Sequence, residues 1–190
     1  TGLEKENMIL VLRKTFTGEL VESLYIEPYD EVLAKWVGPR MKAQEVTEAT
    51  GIQGVRDIGE FYDDLNNILD GSRGLGKYSV YLDLWRYQAD QPDTPAHTLA
   101  AHLQKRYPAV AIEEIYGDMA QLRAIKAPEE VELMRKAQNT TRIAIEDMMR
   151  YAYPGINESE LEGAFDFSLK KQGVRQHAFR SIVAGGVRAT

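Results

Sequence analysis

The chain has 190 residues, a length that holds one domain or one and a half. Its formal net charge is −6 and it contains no cysteine, so disulfides, thiolate catalysis and cysteine-ligated zinc are excluded, and the acidic balance argues against sequence-independent nucleic-acid binding. No apolar run approaches the ~20 residues that span a bilayer, and the absence of cysteine fits a cytoplasmic protein of ordinary globular composition.

The first half of the chain predicts strands that alternate with helices. Short apolar runs predict strands over 8–13, 20–26, 55–58, 79–82 and 110–112, the first two joined as a hairpin. Helical spacing predicts helices over 41–50, 58–69 and 96–107. Residues 29–37 are ambiguous, because their helical spacing is cut short by Gly38-Pro39. This order predicts a mixed sheet with helices on its faces, an α/β class.

The second half of the chain predicts long helices. Residues 129–151 carry an apolar stripe, and Pro128 suits a first helical position. The stripe consists of Val131, Met134, Ala137, Thr141, Ile145 and Met149. Asn157 and Glu160 have the spacing of a capping box for a second helix that ends at Gly173. Beyond it, His177 is predicted to begin a strand, and residues 182–190 are predicted to be a strand that enters a turn.

Most chemistry-bearing side chains fit structural explanations better than functional ones. Residues 71–77 have the spacing of a phosphate-binding loop, but Tyr78 stands where a Ser or Thr is required, and the helix precedes the segment instead of following it. His97 and His102 are five apart and are expected to be exposed. No Ser, His and Asp have the spacing of a known nucleophile motif, and the adjacent carboxylates of Asp63-Asp64 and Glu113-Glu114 point apart on a helix or strand.

Trp36 is the most suggestive single side chain. It precedes a Gly38-Pro39 turn and Arg40, an arrangement that can present an aromatic ring at a loop tip. The alternative is that Trp36 covers a hydrophobic core.

Several segments resemble the Xaa-Pro aminopeptidase and prolidase group, closest to its bacterial aminopeptidase P-like branch. They are Arg123 to Ala137 with Ile125-Lys126-Ala127-Pro128-Glu129-Glu130, Tyr153 to Glu158, Gln172-Gly173 with Phe179 to Gly186, Thr1 to Glu4 with Met8 to Leu12, and Trp36 to Arg40. The first of these resembles the start of the family's catalytic domain. The resemblance spans nearly the whole chain.

The resemblance implies two domains and a metal-dependent peptidase. Residues 1–118 would form a creatinase-like N-terminal domain, and residues 119–190 would be the first helices of a truncated pita-bread α+β domain. The family's enzymes hold two divalent ions, usually manganese, with two Asp, one His and two Glu. They release the N-terminal residue that precedes proline and often form homo-oligomers. The resemblance implies that Trp36 is a substrate-proximal residue.

We therefore expect a fragment of a dimetal Xaa-Pro aminopeptidase. Both ends of the chain lie at the edge of a structural element, and the family's metal ligands would follow residue 190, so no metal or catalytic residue is assigned and the chain alone is predicted to be inactive. The alternative is a non-catalytic creatinase-like module for binding or oligomerisation. We also expect the 129–151 stripe to be exposed and to drive self-association.

Overall fold

The computed structural model describes residues 3, 6–70 and 78–189, apart from the side chains of Val37 and Arg188. These residues belong to two compact units, Thr1–Gly117 and Asp118–Thr190. Within them, no helix combines the length and apolar character needed to cross a membrane. Residues 71–77, considered above for phosphate binding, lie outside the described residues.

The described strands of the first unit lie in two sheets. They are β1 (Ile9–Lys14), β2 (Leu20–Ile26), β3 (Val55–Asp57), β4 (Ser79–Leu82) and β5 (Ala111–Glu114). β2 pairs with β1 antiparallel and with β3 parallel, and β4 pairs with β5 parallel. The predicted mixed α/β class is confirmed, although the described strands are divided between two sheets where the sequence suggested one.

The β1–β2 hairpin has the register that its turn imposes. Ile9 lies opposite Tyr25 and Lys14 opposite Leu20. The connecting loop closes through a hydrogen bond from the Thr15 N–H to the Glu19 carbonyl at 2.8 Å, and Gly18 takes the left-handed φ of 86° that a residue with a side chain rarely adopts.

A small core forms on one side of β2. Leu24 and Val46 are completely buried, and Ile26 and Ile52 pack with them. Gly54 is required where the chain enters β3, because a Cβ there would lie 2.4 Å from the Glu22 carbonyl oxygen. That close approach lets the Leu24 N–H donate to the Gly54 carbonyl at 2.8 Å, which brings β3 alongside β2.

Four helices of the first unit have ends that are set by residues close to them in sequence. They are α1 (Glu31–Val37), α2 (Ala43–Thr50), α3 (Phe61–Asp70) and α4 (Pro95–Arg106). The Asp30 carboxylate accepts from the Leu33 and Val32 N–H groups at 3.0 and 2.8 Å, and these bonds hold the pKa of that carboxyl below its ordinary value. Gly51 ends α2 in the left-handed conformation, as predicted. Residues 29–37, which were ambiguous from the sequence, therefore contain a helix, α1.

The chain continues with three further helices, which are α5 (Tyr116–Ala124), α6 (Pro128–Tyr151) and α7 (Glu158–Lys171). α7 packs against α6 through Ala144 and Leu169, both buried. The predicted cap at Asn157 is confirmed: its Oδ1 accepts from the Ser159 N–H at 2.9 Å, and Glu160 accepts from the Asn157 N–H at 3.4 Å.

The strand predicted to begin at His177 and the strand predicted over 182–190 are wrong for the described residues 177–189. Residues 174–185 form no strand, and a short 3-10 turn follows at Gly186–Arg188. A β-strand exists only when its backbone pairs with another strand, and the described part of this unit offers no such partner. The apolar run Ile182-Val183 therefore indicated a strand that the described part of the unit cannot pair.

Candidate functional site

Trp36 lies on the outer surface of the first unit. It occupies the last turn of α1, which is capped by Asp30 at its start and ends where the Gly38 N–H bonds to the Ala34 carbonyl at 3.1 Å. Its side chain is 84% exposed. The alternative that Trp36 covers a hydrophobic core is therefore wrong, and the indole is free to contact another molecule.

The loop after Trp36 is fixed to the end of β2. The Arg40 guanidinium lies 2.7 Å from the Glu27 carboxylate, and the Lys42 ammonium lies 5.0 Å from the centre of the Tyr29 ring. Both contacts join residues 38–42 to residues just beyond β2. The Trp-Val-Gly-Pro-Arg segment is thus held at both ends, so that the tryptophan is presented from a fixed backbone.

A depression of about 600 Å³ opens beside this loop, at the carboxyl ends of the parallel strands β2 and β3. Its lining includes Tyr29, Lys42, Gln53, Asp57 and Glu60. Ligands of α/β proteins often bind at the carboxyl ends of parallel strands. The mixed charge of the lining suits a zwitterionic or hydrogen-bonding group better than an apolar one.

A second polar group lies on the other side of β2, and sequence reasoning missed it. The Tyr25 hydroxyl donates to Asp64 Oδ2 at 2.9 Å, and Arg56 Nη1 lies 2.9 Å from the same oxygen. Burial, and then the bond to Asp64, raises the pKa of Tyr25 to about 12. The available signal was Asp64 itself, a carboxylate beside Phe61 and Ile68 on the apolar side of α3.

The histidines fall into different environments. His97 was expected to be exposed and is partly buried: its Nδ1 lies 2.8 Å from Thr94 Oγ1, and its Nε2 lies 3.1 Å from the Leu84 carbonyl. The reason is local, since His97 is the third residue of α4 and caps it in place of a glutamate. His102 is exposed, as expected.

The side chain of His177 lies close to those of a serine and an aspartate. The sequence did not predict that these three residues are neighbours. The Nε2 of His177 lies 3.3 Å from Asp166 Oδ1 and its Nδ1 lies 3.2 Å from Ser181 Oγ. The contacts tie residues 177–181 to α7, which is a structural role.

No described group of side chains has the composition of a metal centre. Among residues 3, 6–70 and 78–189, no three His, Asp or Glu side chains converge closely enough to hold an ion. Asp64 is engaged by Tyr25 and Arg56, and Asp63 beside it is exposed. These residues do not fit a dimetal site, and no chemical step through a metal is derived from them.

Comparison with known proteins gives two family matches in order along the chain. Residues 1–75 match the aminopeptidase P N-terminal domain, and residues 132–190 match metallopeptidase family M24. A solved structure from Bacillus anthracis that carries the name aminopeptidase P is 32% identical and superposes over 94% of this chain with a TM-score of 0.86. The chain is aminopeptidase P-like. It combines a creatinase-like N-terminal part with the first part of an M24 domain.

Other relatives of this aminopeptidase P-like chain support the same family. A Xaa-Pro aminopeptidase from Haemophilus influenzae is 27% identical over 194 residues, which cover 100% of this chain and 41% of that protein. A zinc-substituted Escherichia coli aminopeptidase P in complex with product shares the fold, with 22% identity, a TM-score of 0.70 and coverage of 91% of this chain and 39% of its own. The chain thus spans about two fifths of the length of these three relatives.

Proposed function

We propose that this chain is part of a dimetal Xaa-Pro aminopeptidase, which releases the N-terminal residue of peptides that carry proline in the second position. The observation that supports this most strongly is the order of the two family matches, an aminopeptidase P N-terminal domain followed by an M24 metallopeptidase domain. The names of the similar curated proteins agree with it. Within this proposal, residues 1–118 form the creatinase-like domain and residues 119–190 begin the pita-bread domain.

The enzyme would use two divalent metal ions, with manganese as the metal we propose. The M24 family is a family of metallopeptidases, and a zinc-substituted neighbour has this fold, so divalent metals belong to these enzymes. When bound, such a pair would supply a water of lowered pKa and would polarise the scissile carbonyl. None of the described residues of this chain is assigned as a ligand. We place the enzyme in the cytoplasm, a proposal supported by the absence of cysteine.

We propose that Trp36 lies near the substrate. In a homo-oligomer, its side chain would extend toward the active site of a neighbouring copy. Its exposure and its fixed position after α1 support this role, because an indole at a rigid surface site loses little entropy on contact. Tryptophan is also among the residues most enriched at energetically important interface positions.

The function is tested by following release of the N-terminal residue from an Xaa-Pro-Xaa peptide by mass spectrometry. The polypeptide that the gene encodes around these 190 residues should release it, and the 190-residue chain alone should not. Activity of the 190-residue chain, verified by its intact mass, would contradict the assignment of chemistry to residues outside it.

A second candidate is a non-catalytic module for binding or oligomerisation. The observation that favours it is the apolar stripe of α6, where Val131, Met134, Ile145 and Met149 are all exposed, Met149 to 67%. Apolar surface of this kind promotes association. The two candidates separate in the same assay, because a module would remain inactive at any length of the encoded polypeptide.

A further inference from the structure

Three aromatic side chains meet where β4 and β5 end. Trp85 follows β4 and Tyr116 follows β5, and because these strands are parallel, their carboxyl ends lie at the same edge. The rings of Trp85 and Tyr116 stack with centroids 4.6 Å apart and planes inclined by 10°. Tyr87 approaches Trp85 at 6.0 Å with an inclination of 63°. We call Trp85, Tyr87 and Tyr116 the aromatic corner, because the inclined rings form two sides of an angle.

The aromatic corner combines exposed rings with free hydrogen-bond donors. Trp85 is 45% exposed, Tyr87 79% and Tyr116 37%. Within the part of the chain that the structure describes, the indole N–H of Trp85 and the hydroxyls of Tyr87 and Tyr116 have no hydrogen-bond partner. Tyrosine and tryptophan with an apolar face and a free polar end are typical of protein interfaces.

The backbone that carries the aromatic corner is held in place by its own contacts. Arg86 binds the carboxylate of Asp93 and the carbonyl of Gln91, and the Tyr87 N–H donates to Gln91 Oε1 at 3.0 Å. His97 at the start of α4 reaches the Leu84 carbonyl at 3.1 Å. A ligand would therefore meet rings that are already ordered, which lowers the entropic cost of binding.

The surroundings of the aromatic corner are acidic. The exposed carboxylates close to it in sequence are those of Asp83, Asp90, Glu113 and Glu114. Arg86, the cation within this segment, is paired with Asp93. Charge complementarity at such a surface favours a positively charged partner and speeds its approach.

We propose that the aromatic corner binds a basic, proline-containing peptide segment in the polyproline II conformation. Puckered proline rings pack into the angle between aromatic rings, and the carbonyls of a polyproline II chain, which make no internal hydrogen bonds, accept from tryptophan and tyrosine donors. Lysine or arginine in the peptide meets the surrounding carboxylates. This inference does not depend on the proposed peptidase function. A neutral oligosaccharide is the competing ligand class, since sugars also stack on such rings.

The test uses the 190-residue chain with Trp36→Phe, which leaves Trp85 as the one remaining tryptophan. The probe is the N-acetylated peptide Pro-Pro-Arg-Pro-Pro-Lys-Pro, whose blocked amino terminus prevents aminopeptidase cleavage. Saturable change in Trp85 fluorescence is expected, and Tyr87→Ala, at an exposed position, should weaken binding about tenfold. Phe167→Ala, at an exposed position of the other unit, is the matched control and should leave binding unchanged.

Two further probes decide the chemistry of the partner. The peptide with alanine in place of proline and the peptide with glutamine in place of Arg and Lys should each bind at least several-fold more weakly, and binding should weaken with added salt. The proposal is overturned if the fluorescence of Trp85 shows no saturable response, or if the alanine peptide binds with equal affinity. It is also overturned if a neutral oligosaccharide binds and Tyr87→Ala abolishes that binding.

Discussion

The fold suppresses the ionisation of Tyr25. Its side chain is buried to 2% exposure and its hydroxyl bonds to Asp64 at 2.9 Å, so the neutral phenol is favoured and its pKa rises to about 12. The unfolded chain releases this proton near the ordinary value of about 10. The stabilisation is therefore complete below pH 10 and is lost as the pH rises toward 12.

Replacing Tyr25 with Phe should lower the free energy of unfolding at pH 7 by about 1 kcal/mol, because one hydrogen bond to a carboxylate is lost while Arg56 still pairs with Asp64. Urea denaturation of both proteins at several pH values should show this difference shrinking between pH 10 and 12. Tyr81→Phe, at an exposed position, is the control for loss of a tyrosine hydroxyl and should change the free energy of unfolding at pH 7 by less than about 0.5 kcal/mol. A constant gap for Tyr25→Phe would contradict the raised pKa.

Trp36→Ala should affect contact with other molecules and leave the fold intact. Because the side chain is 84% exposed, the free energy of unfolding should change by less than about 0.5 kcal/mol. In the active enzyme that we propose, the KM for Xaa-Pro peptides should rise severalfold. Lys35→Ala, one residue earlier on α1, should leave KM unchanged; an equal effect of both variants would remove the case for Trp36.

The sequence pattern indicated which face of a helix or strand a residue occupies. It could not indicate which residues from distant segments contact each other. Asp64 and Tyr25 are 39 positions apart, and nothing local in either segment specifies the other. Asn157 was different, because a cap bonds to backbone groups within three residues and its signal is contained in the same segment.

The same contrast holds for whole elements. Helices are closed by their own hydrogen bonds, so the boundaries of α2, α6 and α7 followed from local patterns. A strand depends on a neighbour, so the apolar run at Ile182-Val183 predicted a strand that the structure does not contain. The division of the described strands between two sheets is likewise a property of pairing, which no single run determines.

The packing of α7 on α6 gives a direct test at the scale of elements. Leu169 is 5% exposed at this contact, whereas Phe167, two residues earlier on α7, is 71% exposed. Leu169→Ala should lower the free energy of unfolding by about 3 kcal/mol, since it leaves a cavity. Phe167→Ala should change it by less than about 0.5 kcal/mol. Thermal and urea denaturation measure both; comparable losses would mean that the buried faces have been wrongly assigned.

At the scale of the whole molecule, the exposed stripe of α6 predicts self-association of the 190-residue chain. Met134 and Ile145 are 49% and 41% exposed and lie on one side of the helix. The double variant Met134→Lys with Ile145→Lys should be monomeric in sedimentation velocity at concentrations where the parent chain dimerises. Leu122→Lys on α5, also exposed, is the control. A parent chain that stays monomeric at high concentration would refute the prediction.

We propose that this chain belongs to a metal-dependent enzyme selective for proline in the second position. The most direct measurement is the ratio of kcat/KM for two tripeptides that differ only in having proline or alanine there, using the complete encoded polypeptide with and without a chelator. We expect strong preference for the proline peptide, loss of activity with the chelator and recovery with Mn²⁺. Equal rates on both peptides, or activity that survives metal removal, would contradict it.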